Sequence, residues 1–316
     1  MARFACTLEL YCTPVSPRIL HMTEAFKTIG IVGRPTKPSV AESLKPLLSL
    51  LDQRKLSVLV EDRLADLIDG FDGRSADRDT VAAESDLAIV IGGDGSMLHA
   101  ARTMAHQNTA VLGVNRGRLG FLTDILPEEI EQRVAEVLDG EFFEERRFLL
   151  EVYLERDGNR AGSKATAFND VVVNSGSSAQ MIEFELHIDD EFVYRQRADG
   201  LIVATPTGST AYALSGGGPI MHPSLNAVVL VPMFPHTLTS RPIVIDGSSH
   251  IRLDIAKRNR IHPPVTCDGQ VNLTARPGDS VHIYKKPHPL RMIHPLSYSF
   301  YASCRNKLRW GDSLVD

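Results

Sequence analysis

Only four cysteines occur in 316 residues, Cys6, Cys12, Cys267 and Cys304, and no two of them form a CxxC pair. Neither a zinc ribbon nor a redox dithiol is spelled by such spacing, and scattered thiols suit a reducing compartment, so a cytoplasmic location is expected. No apolar run approaches the ~20 residues needed to span a bilayer, and Met1 to Met22 has no continuous apolar core of signal-peptide type. A basic excess is missing as well: the net charge is −5, which gives no electrostatic footprint for nucleic acid. Also absent are GxxxxGK[ST], GxGxxG and an HRD catalytic loop, which removes the P-loop, dinucleotide-fingerprint and protein-kinase routes to phosphate chemistry. The 11 histidines show no HExxH or other ligand spacing and are expected at the surface or as caps. What remains is an ordinary globular balance, 43% hydrophobic and 23% charged, with apolar content for about two domains.

The first half reads as alternating strand and helix. Thr28 to Gly33, Leu56 to Val60, Asp86 to Ile91 and Ala110 to Val114 are short apolar runs; the third is apolar on both faces, as a central parallel strand must be. Val40, Leu44, Leu47, Leu48 and Leu51 recur at helical spacing, with Pro46 expected to kink or start the helix. Helices are also expected from near Ser96 and over Pro127 to Leu138. After about Arg147 the period changes. Ile182 to Ile188 alternates strictly, predicting a strand with one wet face, and Val152, Val171 to Val173, Leu201 to Val203, Val228 to Val231, Ile251 to Leu253 and Val281 to Ile283 add short strands separated by turn residues. The fold class expected is α/β: an N-terminal parallel-sheet domain (22–146), a C-terminal β-rich domain (147–290), and a C-terminal segment (291–316) whose helix returns to the first domain and buries Leu308 and Trp310. Residues 1–21 are expected to be a disordered extension. Glu144-Glu145-Arg146-Arg147 is expected to be a solvated charge run.

Three stretches can carry chemistry. Gly92-Gly93-Asp94-Gly95 joins the end of a buried strand to a helix start, where ligands of open α/β sheets bind. Its glycines let a phosphate approach the backbone, and the helix offers free N–H groups. A carboxylate there repels phosphate, so Asp94 serves as general base, metal ligand or both; the plain alternative is a glycine-rich turn with a helix-capping Asp. Asp199 to Tyr212, DGLIVATPTGSTAY, runs a strand into small hydroxyl residues and glycine, fitting a phosphate- or ribose-bearing ligand or simply a Ser/Thr-rich turn. Phe168-Asn169-Asp170 sets an amide and a carboxylate before a strand, able to read a base edge and ribose hydroxyls, although Asn-Asp before a strand is more often a turn. No dense carboxylate cluster offers an all-protein metal site.

Taken in order, GGDG, NRGRLGFLTD (Asn115 to Asp124), FND, DGLIVATPTGSTAYALSGGGPIMHP (Asp199 to Pro223), VPMFPHTLTSRPIVI (Val231 to Ile245) and CDGQ (Cys267 to Gln270) resemble the bacterial NAD kinases. The resemblance covers roughly Phe26 to Trp310. GGDG alone is shared with diacylglycerol kinases and, loosely, phosphofructokinases; the TPTGSTAY block is far more specific. The resemblance implies phosphorylation of the 2′-hydroxyl of the adenosine ribose of NAD, with ATP as donor and a divalent cation, Mg²⁺, that arrives with the nucleotide. It implies Asp94 as the base with Gly95 beside it. It places Asn169 and Asp170 on substrate, where Asn-Glu is the more frequent family pair. Arg197 and Asp199 would lie at the nicotinamide end, with Gln180 as a further polar contact. Thr210, Ala211, Tyr212 and Ser215 would line the adenosine pocket, Gln270 would close it, and Thr207, Ala213 and Leu214 would be further substrate-binding residues. A homodimer or homotetramer is implied, with neither nucleic acid nor membrane as partner. Competing readings are a lipid kinase, which would want an apolar groove or amphipathic membrane-binding stretch, and a nucleotide sensor, for which a base would be superfluous.

Overall fold

The structure, a computed structural model, describes residues 26–34, 39–68, 70–116, 120–176 and 180–310; the extension expected over 1–21 lies outside them. In chain order the first part contains β1 (Thr28–Gly33), α1 (Ser39–Gln53), β2 (Ser57–Glu61), α2 (Asp62–Ala65), β3 (Arg74–Ala76), α3 (Arg78–Glu84), β4 (Leu87–Ile91), α4 (Asp94–Gln107), β5 (Ala110–Val114), α5 (Ile130–Leu138) and β6 (Phe142–Arg147). Then come β7 (Leu150–Arg156), β8 (Asn159–Ala167), β9 (Asp170–Asn174), β10 (Ile182–Ile188), β11 (Glu191–Ala198), β12 (Gly200–Ala204), α6 (Tyr212–Ser215), β13 (Ala227–Met233) and β14 (Ile243–Asp246). The chain finishes with β15 (Ile251–Ile255), β16 (Pro264–Cys267), β17 (Val271–Thr274), β18 (Ser280–Lys285), β19 (Leu290–Pro295) and α7 (Phe300–Leu308).

A seven-stranded sheet runs β3-β2-β1-β4-β5-β19-β6. Every pairing in it is parallel except that of β19 with β6. The apolar runs explain it. Ile29, Ile31, Leu87, Ile89 and Ile91 pack on one face with Leu44, Leu47 and Leu51 of α1 and with α5, whereas Val32, Ala88 and Val90 pack on the other with α3 and α4. Two covered faces demand strands apolar throughout. α1 starts at Ser39 and runs through Pro46 rather than starting there; its fully buried leucines lie on both sides of the proline and hold both turns to the sheet. The strand order reverses between β1 and β4, so the carboxyl end of β4, where GGDG stands, is a topological switch point.

The β-rich half is a sandwich of two six-stranded sheets, β11-β10-β15-β18-β7-β8 and β14-β13-β12-β9-β16-β17, with antiparallel pairing throughout. Alternation decides what faces where. Val171, Val173, Leu201, Val203, Val228 and Leu230 enter the core between the sheets, and their neighbours Val172, Ile202, Ala204, Val229 and Val231 form a second cluster with Ala213 and Met221. β10 differs from the expected wet-faced strand in that Glu183 is buried, because the Arg258 guanidinium reaches over to pair with it.

Two expectations are corrected, one of them about the C-terminal region. β19 inserts between β5 and β6 in the first sheet, and α7 follows with Ala302 and Ser303 sharing a cavity wall with Leu126, Glu129 and Arg133. The buried α7 residues, however, are Ser303 and Cys304; Trp310 is 46% exposed and Leu308 only half-buried, while the Phe300 and Tyr301 rings rest against His222. Nor is the Glu144 to Arg147 run solvated as a whole, for only Arg146 is exposed. The run forms β6, whose Arg147 is buried and paired with Glu145, while Glu144 is held by Arg291 of β19. An edge strand covered by neighbouring side chains can carry charge inward when each charge meets its opposite.

Candidate active site

GGDG leads out of β4 into α4. Gly92 has φ 151°, and a Cβ there would lie 2.2 Å from Ser96 Oγ, so this turn requires glycine. Gly93, not Asp94, is the N-cap of α4. The capping reading of Asp94 is therefore overturned: its carboxylate accepts the backbone N–H groups of Phe121 at 3.1 Å and Leu122 at 3.0 Å, in the segment after β5. Gly120 makes that approach possible, since a Cβ on it would fall 2.0 Å from Asp94 Oδ1. At Gly93 and Gly95 a Cβ would meet no heavy atom within 4 Å, so the space next to Asp94 is open on the side of the helix N-terminus.

The FND and TPTG segments meet backbone to backbone. Phe168 is fully buried in the α4 cluster. Thr205 Oγ1 donates to the Phe168 carbonyl at 2.7 Å, and Thr205 N donates to the Asn169 carbonyl at 2.9 Å. A Cβ on Gly208 would stand 2.1 Å from that same carbonyl oxygen. Asn169 Oδ1 is buried with no hydrogen-bond partner, and an orphaned amide oxygen at a cavity wall asks for a donor from a ligand. The cavity, about 290 Å³, is lined by Asn169, Asp170, Ala211, Tyr212, Asp268 and Gly269 among others. Burial pushes the Asp170 carboxyl up to about 7, helped by the negative charge of Asp268. Gln270 Nε2 reaches across to donate to the Gly95 carbonyl at 3.3 Å, which joins this cavity to GGDG.

The other expected residues are spread over several places. Thr207 is buried, Thr210 Oγ1 donates to its carbonyl at 3.3 Å, Ala213 is fully buried in the sheet cluster and Leu214 is half-buried. Tyr212 and Ser215 border a second cavity of about 420 Å³ beside Met233 and Phe234. Gln180 and Arg197 line a third, of about 730 Å³, with Glu183, His236 and Arg258. Asp199 is half-buried, its backbone bonded to Ser175 and Met233. Asp94, Gly95, Asn169, Asp170, Ala211, Tyr212 and Gln270 thus cluster where α4 meets the β9–β12–β16 sheet, and the cavity holding Gln180 and Arg197 is a separate one. The one group of three metal-type ligands close enough to share an ion among the described residues, Glu185, His187 and Asp254, has its carboxylates paired with Arg195 and Arg252 and fits an ion-paired sheet face better than a metal site.

The ATP-NAD kinase N-terminal domain family matches residues 29–142, and the ATP-NAD kinase C-terminal domain family matches residues 168–295. NAD kinases from Ectopseudomonas mendocina and Teredinibacter turnerae are 53% and 54% identical to the chain, over 92% and 91% of it and 98% of each relative. This chain belongs to the ATP-NAD kinase family. Among solved structures, yeast NADH kinase complexed with NADH superposes with a TM-score of 0.83 at 25% identity, covering 92% of this chain and 89% of that one. An Archaeoglobus fulgidus NAD kinase in complex with ATP gives 0.69 at 26%, covering 89% and 98%.

Two residues of this family member at the junction were not singled out by sequence reasoning. Asp268, within CDGQ, underlies the Asn169 and Asp170 peptides, and Arg102 of α4 pairs with it. The available signals were the carboxylate inside a motif that had yielded only Gln270, and an arginine two helical turns after Gly95.

Proposed function

We propose that the chain transfers the γ-phosphate of ATP to the 2′-hydroxyl of the adenosine ribose of NAD, giving NADP, with Asp94 as general base. The observation that carries this reading is the placement of the Asp94 carboxylate, held by two amides rather than spent on a cap, next to open space at a helix N-terminus. A ribose hydroxyl is a poor nucleophile until its proton is leaving, and an oriented carboxylate takes that proton. The rest of the task is positioning and charge neutralisation. The N–H groups at the start of α4 face incoming phosphate, and Gly93 and Gly95 leave room for it. Asn169 and Asp170 meet the adenosine half in their cavity, with Tyr212 alongside and Gln270 at its edge.

The donor set fits a divalent cation held mainly by phosphates and water, since Asp94 is the lone carboxylate at the GGDG turn. When bound, Mg²⁺ neutralises phosphate charge. The separate cavity of Gln180 and Arg197 supports a nicotinamide end, with Asp199, that is completed between subunits of a homodimer or homotetramer. A cytoplasmic location accords with the thiol pattern, and no helix among the described residues is long and apolar enough to cross a membrane. Transfer of radiolabel from γ-labelled ATP to NAD tests the reading. Label on a lipid alcohol instead would identify a lipid kinase, and nucleotide binding without transfer would identify a sensor.

A further inference from the structure

Arg102 lies on α4 seven residues after Gly95, on the face that meets the CDGQ turn. Its Nη1 donates to Asp268 Oδ2 at 3.0 Å and its Nη2 to Gln270 Oε1 at 2.7 Å. The Arg102 side chain is 15% exposed and that of Asp268 0%. Asp268 also accepts the backbone N–H groups of Asn169 at 2.7 Å, Phe168 at 3.0 Å and Asp170 at 3.3 Å. Gln270, fixed by the guanidinium on one side, donates to Gly95 on the other. A single planar fork therefore ties the GGDG helix to both the Asn-Asp peptides and the Gln270 side chain, a geometry an ammonium does not reproduce.

We propose that Arg102 is a positioning residue for the phosphoryl transfer: it neutralises Asp268 so that Asp170 can be the ionised acceptor for a dinucleotide hydroxyl or amine, and it seats Gln270 against Gly95. This rests on reading the Asn169–Asp170 cavity as the dinucleotide site. Asp170 and Asp268 are neighbouring buried carboxylates, and two such groups resist being ionised together unless a cation offsets one of them. The groups that face Asp170 are Asp268, Cys267 at the end of β16 and Tyr212 across the cavity, and Arg102 from α4 reaches it only through Asp268. Burial pushes the Cys267 thiol up to about 12, so it stays neutral. With Asp170 raised to about 7, its carboxylate form is present above that pH, and dinucleotide affinity should fall as pH drops through it. Without the guanidinium the pair binds its proton more tightly. Burial raises the Asp268 carboxyl as well, opposed by its three amides and by Arg102, whereas burial and the Asp268 charge both favour the proton on Asp170; the proton therefore resides on Asp170 and the acid limb moves to higher pH.

The test uses the full chain and the variants Arg102→Met, Arg102→Lys and Arg102→Met/Asp268→Asn. The Asp170 carboxyl is titrated by ¹³C NMR, and the Kd for NAD is measured by calorimetry from about pH 5.5 to about pH 9. Arg102→Met should move the midpoint up by about one unit, weaken NAD binding about fivefold near pH 7 and recover most of that loss near pH 9. Arg102→Lys should titrate close to wild type, and the double variant at or below it. A midpoint that stays put in Arg102→Met, or an affinity loss equal at every pH, would overturn the proposal. If Arg102→Met does not fold, the double variant decides, because an upward shift there contradicts the proposed role of Asp268. Wild-type protein that binds no NAD at any pH would instead sink the dinucleotide reading; the NMR titration, which needs no ligand, still decides the electrostatic coupling.

Discussion

His294 of β19 bonds through Nδ1 to the carboxylate of Asp124, inside the protein and with none of its own side chain exposed. Its Nε2 lies 3.4 Å from Glu145, the Tyr298 ring stacks on it at 4.1 Å, and Arg147 pairs with Glu145 at 2.6 Å. Burial alone would lower the His294 pKa; Asp124 and Glu145 overcome it and hold the ring protonated above its ordinary range. This cluster anchors the same segment, Gly120 to Asp124, whose amides grip Asp94.

Replacing His294 with Leu leaves Asp124 without its cation and Glu145 with only Arg147. Breaking a buried charge pair from one side costs roughly 3–5 kcal/mol, and that loss is expected in the urea-unfolding free energy near neutral pH. A change under about 1 kcal/mol would mean that solvent or Arg147 makes up for the imidazolium.

The same cluster sets a pH window. Glu145 is held down to about 2 by His294 and Arg147 against the opposing effect of burial, so its contribution is present above its ordinary 4.5 and is lost as pH falls toward about 2. His294 is raised, so its contribution is complete below its ordinary 6.5 and is lost as pH climbs through its folded value. The cluster should therefore stabilise most between 4.5 and 6.5. The stability difference between wild type and His294→Gln, followed against pH, should peak there; a difference that is flat with pH would remove the titration from the account.

Asp94→Asn is expected to lower kcat by roughly 10²–10⁴-fold with KM for NAD little changed. It is not a silent replacement in the fold, however. Both carboxylate oxygens accept amides, and the Asn NH₂ would face one of those N–H groups, a mismatch worth about 1–3 kcal/mol. A melting curve beside the kinetics separates the two effects. Near-normal kcat at every Mg²⁺ concentration would return GGDG to a phosphate-binding turn, and recovery at high Mg²⁺ would point to metal organisation instead of proton transfer.

Gly120→Ala offers a test that removes no catalytic group. Its new Cβ would crowd Asp94 Oδ1 and Thr123 Oγ1, at 2.0 and 2.6 Å, so the carboxylate must leave its two amides. The expected result is a fall in kcat of about tenfold or more with KM for NAD preserved, since misplacement of a reacting group by about 1 Å is costly. Unchanged turnover would show that Asp94 does not need the amide pair.

Much of this architecture could be read from periodicity. β4 and β5 are apolar on both faces and so had to be central, and the strict alternation of β10 marked the change to a sandwich. The short edge strands β3, β14 and β17 gave no such signal, because an edge strand owes its pairing to the neighbour that recruits it rather than to its own pattern. Asp94 stood out for its chemistry, a carboxylate where phosphate is expected. Arg102 and His294 did not, because a lone arginine on a helix and a lone histidine on a strand look the same whether solvated or buried. Only the arrival of Asp268 and Asp124 from distant parts of the chain gives them a role.

β19 is an interior strand of the N-terminal sheet, laid between β5 and β6 by residues 290–295. The sheet that supports GGDG is thus unfinished until residues 290–295 have left the ribosome. While the sandwich is being made, β5 keeps one open edge and β6 has no partner beside it. Such a half-built sheet offers unpaired backbone to other nascent chains, so assembly is expected to be slow and governed by this one long-range docking event rather than by either half alone. A chain cut before Leu290 would lack the strand that separates β5 from β6, and would be expected to aggregate instead of yielding a smaller working kinase.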